Sequence, residues 1–280
     1  MTSPQSAWNG RKKTIFLPDR RPLTFLDTGG NGPVLLLLHG YSDSSRSFSL
    51  MAPALGSFRL LIPDLSGHGG SAAGGALGVE ALADDIGQLL AALDIRHLAM
   101  TGHSMGAMIG IVLAARLGSC VSSLATISGA LRPDFPADGA IARGISALSD
   151  PIAPSNPFFD DWHACALPVD PDFLAYARRE AAAMPAPVWH AILKAFSTTD
   201  LSAAARTITA PVLCIAGSQD PLFGTAHRAA MAGGFAHARS VVLKGHGHNP
   251  HWEDPARIAS LLKAFLEETM QPVLASSRIL

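Results

Sequence analysis

LAMTGHSMGAMIGIVLAA, residues 98–115, decides how this chain is read. A short apolar run ends at Thr101, the turn Gly102-His103-Ser104-Met105-Gly106 follows, and a smooth apolar segment of helical character comes next. Strand, sharp turn and helix in that order are what a G-x-S-x-G pattern needs before it carries chemistry. Such a turn aims a serine hydroxyl out of the top of a sheet. Gly102 and Gly106 would flank it because strand and helix meet there with no room for a Cβ. Ser104 itself is expected in a strained backbone conformation.

Working outward, the composition sets the class. Of the 280 residues, 48% are hydrophobic and 15% charged, which favours a globular chain with a large core over disorder. The formal net charge is −1, and charges are scattered, so neither nucleic acid nor an anionic membrane is indicated as a partner. Cys120, Cys165 and Cys214 are odd in number and widely spaced, which argues against a disulfide framework and against zinc-ligand spacing. Cys214, inside VLCIAG, reads as a buried structural thiol. The first residues lack the apolar stretch of a secretory signal, and no apolar run is long enough to span a bilayer; the expectation is a soluble cytoplasmic protein.

Short strands are predicted at 14–17 and 23–27, joined as a hairpin. The aliphatic run VLLLL at 34–38 fits a strand buried on both faces and leads into His39-Gly40-Tyr41. Residues 42–55 read as a loop and a helix, 58–62 as a strand, and 79–93 as a helix with an apolar stripe at Leu82, Ile86, Leu89, Leu90 and Leu93. A further strand is predicted at 121–127. This alternation is that of an α/β fold, a parallel sheet with helices on both faces. It stops near Gly129. Residues 130–209 are rich in proline and large rings, with helical pieces at 172–183 and 188–196 and no strands between them. The alternation resumes with strands at 212–217 and 240–243 and helices at 225–231 and 255–268. The chain therefore divides into a sheet core, 1–129 with 210–270, a helical cap inserted at 130–209, and a tail at 271–280 without a clear role.

A serine hydroxyl needs a base to take its proton, and the base needs an orienting acid. Asp220 follows the strand at 212–217 and His248 the strand at 240–243, in the order expected for a G-x-S-x-G serine. Each has an ordinary reading too: Ser104 as a helix N-cap and Asp220 as a turn residue. Asp134 is the reserve acid and His246 the reserve base, since His246, His248 and His251 crowd one loop. That cluster lacks a supporting carboxylate or cysteine pattern for zinc, so no metal is expected.

With HGY at 39–41, PDLSGHGGS at 63–71, GHSMG at 102–106, APVLCIAGSQDPLF at 210–223 and GHNPHWEDP at 247–255, the chain resembles the α/β-hydrolase family, in the branch with a serine nucleophile and a helical cap. The resemblance implies a central sheet of about eight strands. It implies Ser104 as nucleophile, His248 as general base and then acid, and Asp220 as its orienting residue. The oxyanion donors would be the N–H groups of Met105 and Tyr41. His39, His68 and His103 would hold loops together. A serine at the nucleophile position implies acyl transfer through an acyl-enzyme, with no cofactor, and disfavours epoxide or halide chemistry. The rings of residues 130–209 point to an apolar pocket walled by Trp162 and Trp189, and to an ester or lactone with an apolar part as the small-molecule substrate. A carbon–carbon bond hydrolase of ring-cleavage products, a cofactor-free perhydrolase and a hydrolase-fold ligand receptor are the alternatives. The glycine-richer oxyanion loop common in the first of these is absent here, where Tyr41-Ser42-Asp43-Ser44 follows His39-Gly40. Oligomeric state is not legible in the sequence.

Overall fold

Alternate residues of β3 (Val34–Leu38) enter two different hydrophobic layers: Leu36 and Leu38 on one side, Leu35 and Leu37 on the other. The same division holds in β5 (Leu98–His103), β6 (Val121–Ile127) and β7 (Val212–Gly217), where Met100, Leu124 and Cys214 face one layer and Ala99, Ala125 and Leu213 the other. Strands covered on both faces have no use for polar alternation, which is why their sequences are runs of aliphatics. Cys214 is indeed a buried free thiol.

The computed structural model describes residues 4–276, with side chains for 5–269. Its eight strands form one sheet in the order β1-β2-β4-β3-β5-β6-β7-β8. β1 (Lys13–Phe16), β2 (Pro22–Asp27) and β4 (Arg59–Pro63) are mutually antiparallel where they pair, and the other pairings, on to β8 (Ala238–Leu243), are parallel. A short α1 (Pro4–Ala7) precedes β1. α2 (Val79–Ala92) and α3 (Met105–Leu117) pack into one layer, and the long α11 (Pro255–Ser276) into the other. The order-reversal between β3 and β5 lies at the middle of the sheet, where crevices open at the carboxyl ends of strands in doubly wound folds.

Between β6 and β7 run α4 (Ala140–Ser146), α5 (Phe158–Trp162), α6 (Pro171–Ala183), α7 (Ala186–Phe196) and α8 (Ser202–Thr207). α6 and α7 match the expected helices; the shorter α4, α5 and α8 carry too little periodicity to announce themselves. Their buried rings, Phe159, Trp189 and Phe196, join the same apolar layer as α2 and α3. α9 (Thr225–Gly234) and the single turn α10 (Pro250–Glu253) complete the order. Two expectations are corrected. Residues 42–55 hold two short 3-10 turns, Ser45–Phe48 and Ala52–Leu55, in place of a helix, because a serine-rich run and Pro53 cannot propagate one. The C-terminal helix continues to Ser276, so most of the supposed tail is helical; Pro272 masks this in the sequence, and 277–280 lie outside the described residues.

Candidate active site

Ser104 sits on the turn between β5 and α3 with φ 51° and ψ −115°, a backbone conformation that a non-glycine residue keeps only when its surroundings enforce it. The enforcement is visible on both sides. A Cβ on Gly102 would lie 2.2 Å from the Gly106 carbonyl oxygen, and a Cβ on Gly106 would lie 2.1 Å from that of Leu38. Those two glycines let α3 press against β3 and β5, and the turn follows from that close approach.

Asp220 stands three residues beyond β7, and its Oδ1 accepts hydrogen bonds from the N–H groups of Leu222 (2.8 Å) and Phe223 (3.0 Å). This fixes the carboxylate so that Oδ2 meets His248 Nδ1 at 2.9 Å. The other ring nitrogen of His248, Nε2, lies 3.0 Å from Ser104 Oγ. Burial pushes the Asp220 carboxyl up, but the His248 ring and the two backbone N–H groups outweigh it and hold the group below the usual carboxylate range. An ionised Asp220 demands a proton on Nδ1, which leaves Nε2 free to accept from Ser104. Serine, histidine and aspartate thus form one polarised chain, with all three members buried.

The reserve residues lie elsewhere. Asp134 is exposed. His246 turns its Nδ1 to the Lys244 carbonyl at 3.2 Å, and its Nε2 is 3.8 Å from Asp254. The three motif histidines hold loops. His39 Nε2 accepts from the Leu65 N–H at 2.9 Å, His68 Nδ1 meets the Ser66 carbonyl at 3.0 Å, and His103 Nε2 donates to the His248 carbonyl at 3.1 Å. Among the described residues no group of three or more His, Cys, Asp or Glu side chains is arranged to hold a metal ion.

Met105 is the first residue of α3, where backbone N–H groups lack partners in the helix, and Tyr41 lies just after β3, the strand that pairs with β5 in the sheet. The Tyr41 hydroxyl donates to the Trp189 carbonyl, which ties the loop after β3 to α7. A cleft of about 460 Å³, its open mouth included, lies over Ser104. Trp162 lines it and donates from Nε1 to Ser42 Oγ at 2.8 Å. Trp189 does not: it is fully buried behind Tyr41 and Trp162, with ring centroids 5.0 and 5.5 Å away. Its expected role as a wall of the pocket is corrected: it instead backs that wall, with its carbonyl oxygen held by the Tyr41 hydroxyl. The apolar lining is instead Phe135, Phe196, Leu222 and Phe223, with Met108 below. Leu222 and Phe223 had a signal in the sequence, since they follow the acid at two and three residues, past Pro221, and must turn with it.

A profile of the alpha/beta hydrolase fold matches residues 33–255, and the chain belongs to that family. It is 39% identical over 131 residues to the magnesium-chelatase 30 kDa subunit of Rhodobacter capsulatus, a match covering 44% of this chain and 45% of that protein. It is 35% identical over 118 residues to the pimeloyl-[acyl-carrier protein] methyl ester esterase of Sodalis glossinidius, covering 41% and 43% respectively. In both cases the aligned part is under half the length of the relative. The enol-lactonase from Burkholderia xenovorans LB400 superposes with a TM-score of 0.79 over 91% of this chain and 100% of that one at 24% identity, a likeness of fold. No helix among the described residues is long and apolar enough to cross a membrane.

Proposed function

We propose that this chain is a serine hydrolase that cleaves a carboxylic ester or lactone with an apolar portion. The observation that carries the reading is the hydrogen-bonded chain Ser104–His248–Asp220, set on a strained turn beneath an apolar cleft. In this mechanism His248 Nε2 takes the proton of Ser104 as Oγ attacks the acyl carbon. Asp220 holds the tautomer and stabilises the imidazolium that forms. The N–H groups of Met105 and Tyr41 receive the developing oxyanion, a contribution of about 3 kcal/mol per donor in comparable sites. The leaving alcohol takes the proton from His248, and water, activated by the same ring, releases the acid. Residues 130–209 act as a cap whose Phe135, Trp162 and Phe196 select the substrate. The relatives named an ester esterase and an enol-lactonase support the choice of ester and lactone.

The test is turnover of a panel of p-nitrophenyl esters and lactones by wild type and Ser104→Ala, with a fluorophosphonate probe mapped by mass spectrometry. Wild type should turn over the panel and carry the phosphonate on Ser104, and Ser104→Ala should do neither. No hydrolysis together with no labelling, or a phosphonate on another residue, overturns the reading.

A further inference from the structure

The cleft has a polar side that ester hydrolysis does not use. His248 marks the boundary: its ring centroid lies 5.4 Å from Phe223 and 5.0 Å from His103. Beyond Phe223 the rings continue through Phe135 (6.1 Å) to Phe196 (5.6 Å), all hydrocarbon. Beyond His103 the character changes. Asp43 Oδ2 stands 3.6 Å from His103 Nδ1 and accepts from Ser47 Oγ at 3.1 Å. No hydrogen bond reaches Asp43 Oδ1 among the described residues, although the side chain lines the cleft. His163 also lines the cleft and is 6% exposed, yet neither Nδ1 nor Nε2 has a hydrogen-bond partner.

The Trp162–Ser42 hydrogen bond seats the end of α5 on the loop after β3, and the sequence neighbours of that pair, His163 and Asp43, both line the cleft. Their charges act on each other. Burial raises the Asp43 carboxyl, but His103, His39 and His163 together keep it below its ordinary value. Burial also holds the His163 imidazole down at about 4, so it is neutral at neutral pH. A carboxylate can only accept, and a neutral imidazole has one donor and one acceptor. A buried polar group left without a partner, as both ring nitrogens of His163 are, is costly unless something completes it. A hydroxyl completes both: it donates to Asp43 and accepts from the N–H of His163. A carboxylate in the same place would meet the Asp43 charge.

We propose that Asp43 and His163 form a subsite for a hydroxyl group of the substrate, which makes the preferred substrate a hydroxylated ester and disfavours one bearing a carboxylate. The proposal rests on the hydrolase reading and narrows it. It adds no bond-breaking step, because both contacts are hydrogen bonds made before the acyl carbon reaches Ser104.

The test compares kcat/KM within each enzyme. The substrates are p-nitrophenyl alkanoates from butanoate to octanoate, the ω-hydroxy and ω-carboxy forms of each, and acetates of the matching alcohols and diols. Wild type should favour the hydroxylated member by about tenfold at the best length. The carboxylated member should be poorer than its parent. Asp43→Asn and His163→Phe should each bring the hydroxyl ratio towards one, and Asp43→Asn should also relieve the penalty on the carboxylate. Reading ratios within one enzyme removes any general loss from a weakened variant, and the wild-type ratio stands even if a variant does not fold. Turnover of the parent esters with no hydroxyl preference at any length overturns the subsite and leaves the hydrolase reading intact. Preference that survives both substitutions also overturns it. No turnover of any ester and no phosphonate on Ser104 removes the hydrolase reading, and the subsite with it.

Discussion

Asp220 shows how much one side chain is asked to do. Oδ1 is occupied by the Leu222 and Phe223 N–H groups and Oδ2 by His248, so the carboxylate fixes a turn and a tautomer together. Asp220→Asn separates the two duties. The amide oxygen can still accept from Leu222 and Phe223, while the amide NH₂ now faces Nδ1 and favours the wrong imidazole tautomer. Expected is a fall in kcat of roughly 10³–10⁴ with an unfolding transition close to that of wild type. Steady-state kinetics on the best ester, beside a thermal melt, checks it; an unchanged kcat would remove Asp220 from the mechanism. The sequence made this residue legible through its position after a strand, and it preferred His248 as the base while keeping His246 in reserve. The direction each ring takes from the loop after β8 agrees with that preference: His248 meets Asp220 and Ser104, and His246 turns to the Lys244 carbonyl.

At the scale of elements, the turn around Ser104 depends on contact between α3 and two strands. Gly106→Ala places a methyl group 2.1 Å from the Leu38 carbonyl oxygen, a backbone atom that can move only if β3 moves. Destabilisation of about 3 kcal/mol or more is expected, with activity lost through displacement of Ser104, and a urea titration measures it. A second junction joins α6 to the loop after β3. The guanidinium of Arg46 is almost wholly buried; its Nε and Nη2 donate to Glu180 at 2.9 and 2.7 Å, and its Nη1 donates to the Gln5 carbonyl at 2.6 Å. Ser44 Oγ donates to the other oxygen of Glu180 at 2.6 Å, and the Tyr176 ring lies 4.6 Å from the guanidinium. Glu180→Ala leaves that cation without its counter-charge and should destabilise by roughly 3 kcal/mol, more than the paired replacement Arg46→Met with Glu180→Leu. Chemical unfolding of the single and double variants tests the order. Equal losses would mean that the ion pair itself contributes little. The PDLSGHGGS stretch is a third junction. Asp64 accepts from Ser45 N–H, Gly70 N–H and Lys12 Nζ at 2.8 Å each, which gives the acid of that motif a structural role.

Over the whole molecule, the buried histidines set the response to pH. Burial lowers His39, His103 and His251, lowers His68 to about 3 and lowers His163 to about 4. The unfolded chain binds protons at these groups near pH 6.5, and the folded chain does not. Their contribution is complete above pH 6.5 and is lost as pH falls towards the folded values, at about 1.4 kcal/mol per unit for each titrating group. Asp43, Asp64 and Asp220 are also held low and add to the loss below about pH 4. Urea unfolding at a series of pH values should show a fall of at least about 3 kcal/mol between pH 7 and pH 5, before the carboxylates protonate. A flat profile across that interval would mean that these rings are charged in the folded state.

What the sequence by itself determined was local: which runs are strands, where the serine turns, and the order of acid and base along the chain. Aliphatic runs between glycine-rich turns allow few alternatives to a doubly covered parallel sheet, and a G-x-S-x-G turn on such a sheet has one geometry. Residues 130–209 follow no such period. Their helices are short, and their rings find places only when the Tyr41 hydroxyl reaches the Trp189 carbonyl and the Trp162 indole reaches Ser42. Those contacts span 148 and 120 residues of chain, so no local spacing could foretell that Trp162 faces the cleft and Trp189 stands behind it. The polar pair Asp43 and His163 is of the same kind. Each is unremarked in its own stretch of sequence, and tertiary packing alone makes them neighbours of Ser104.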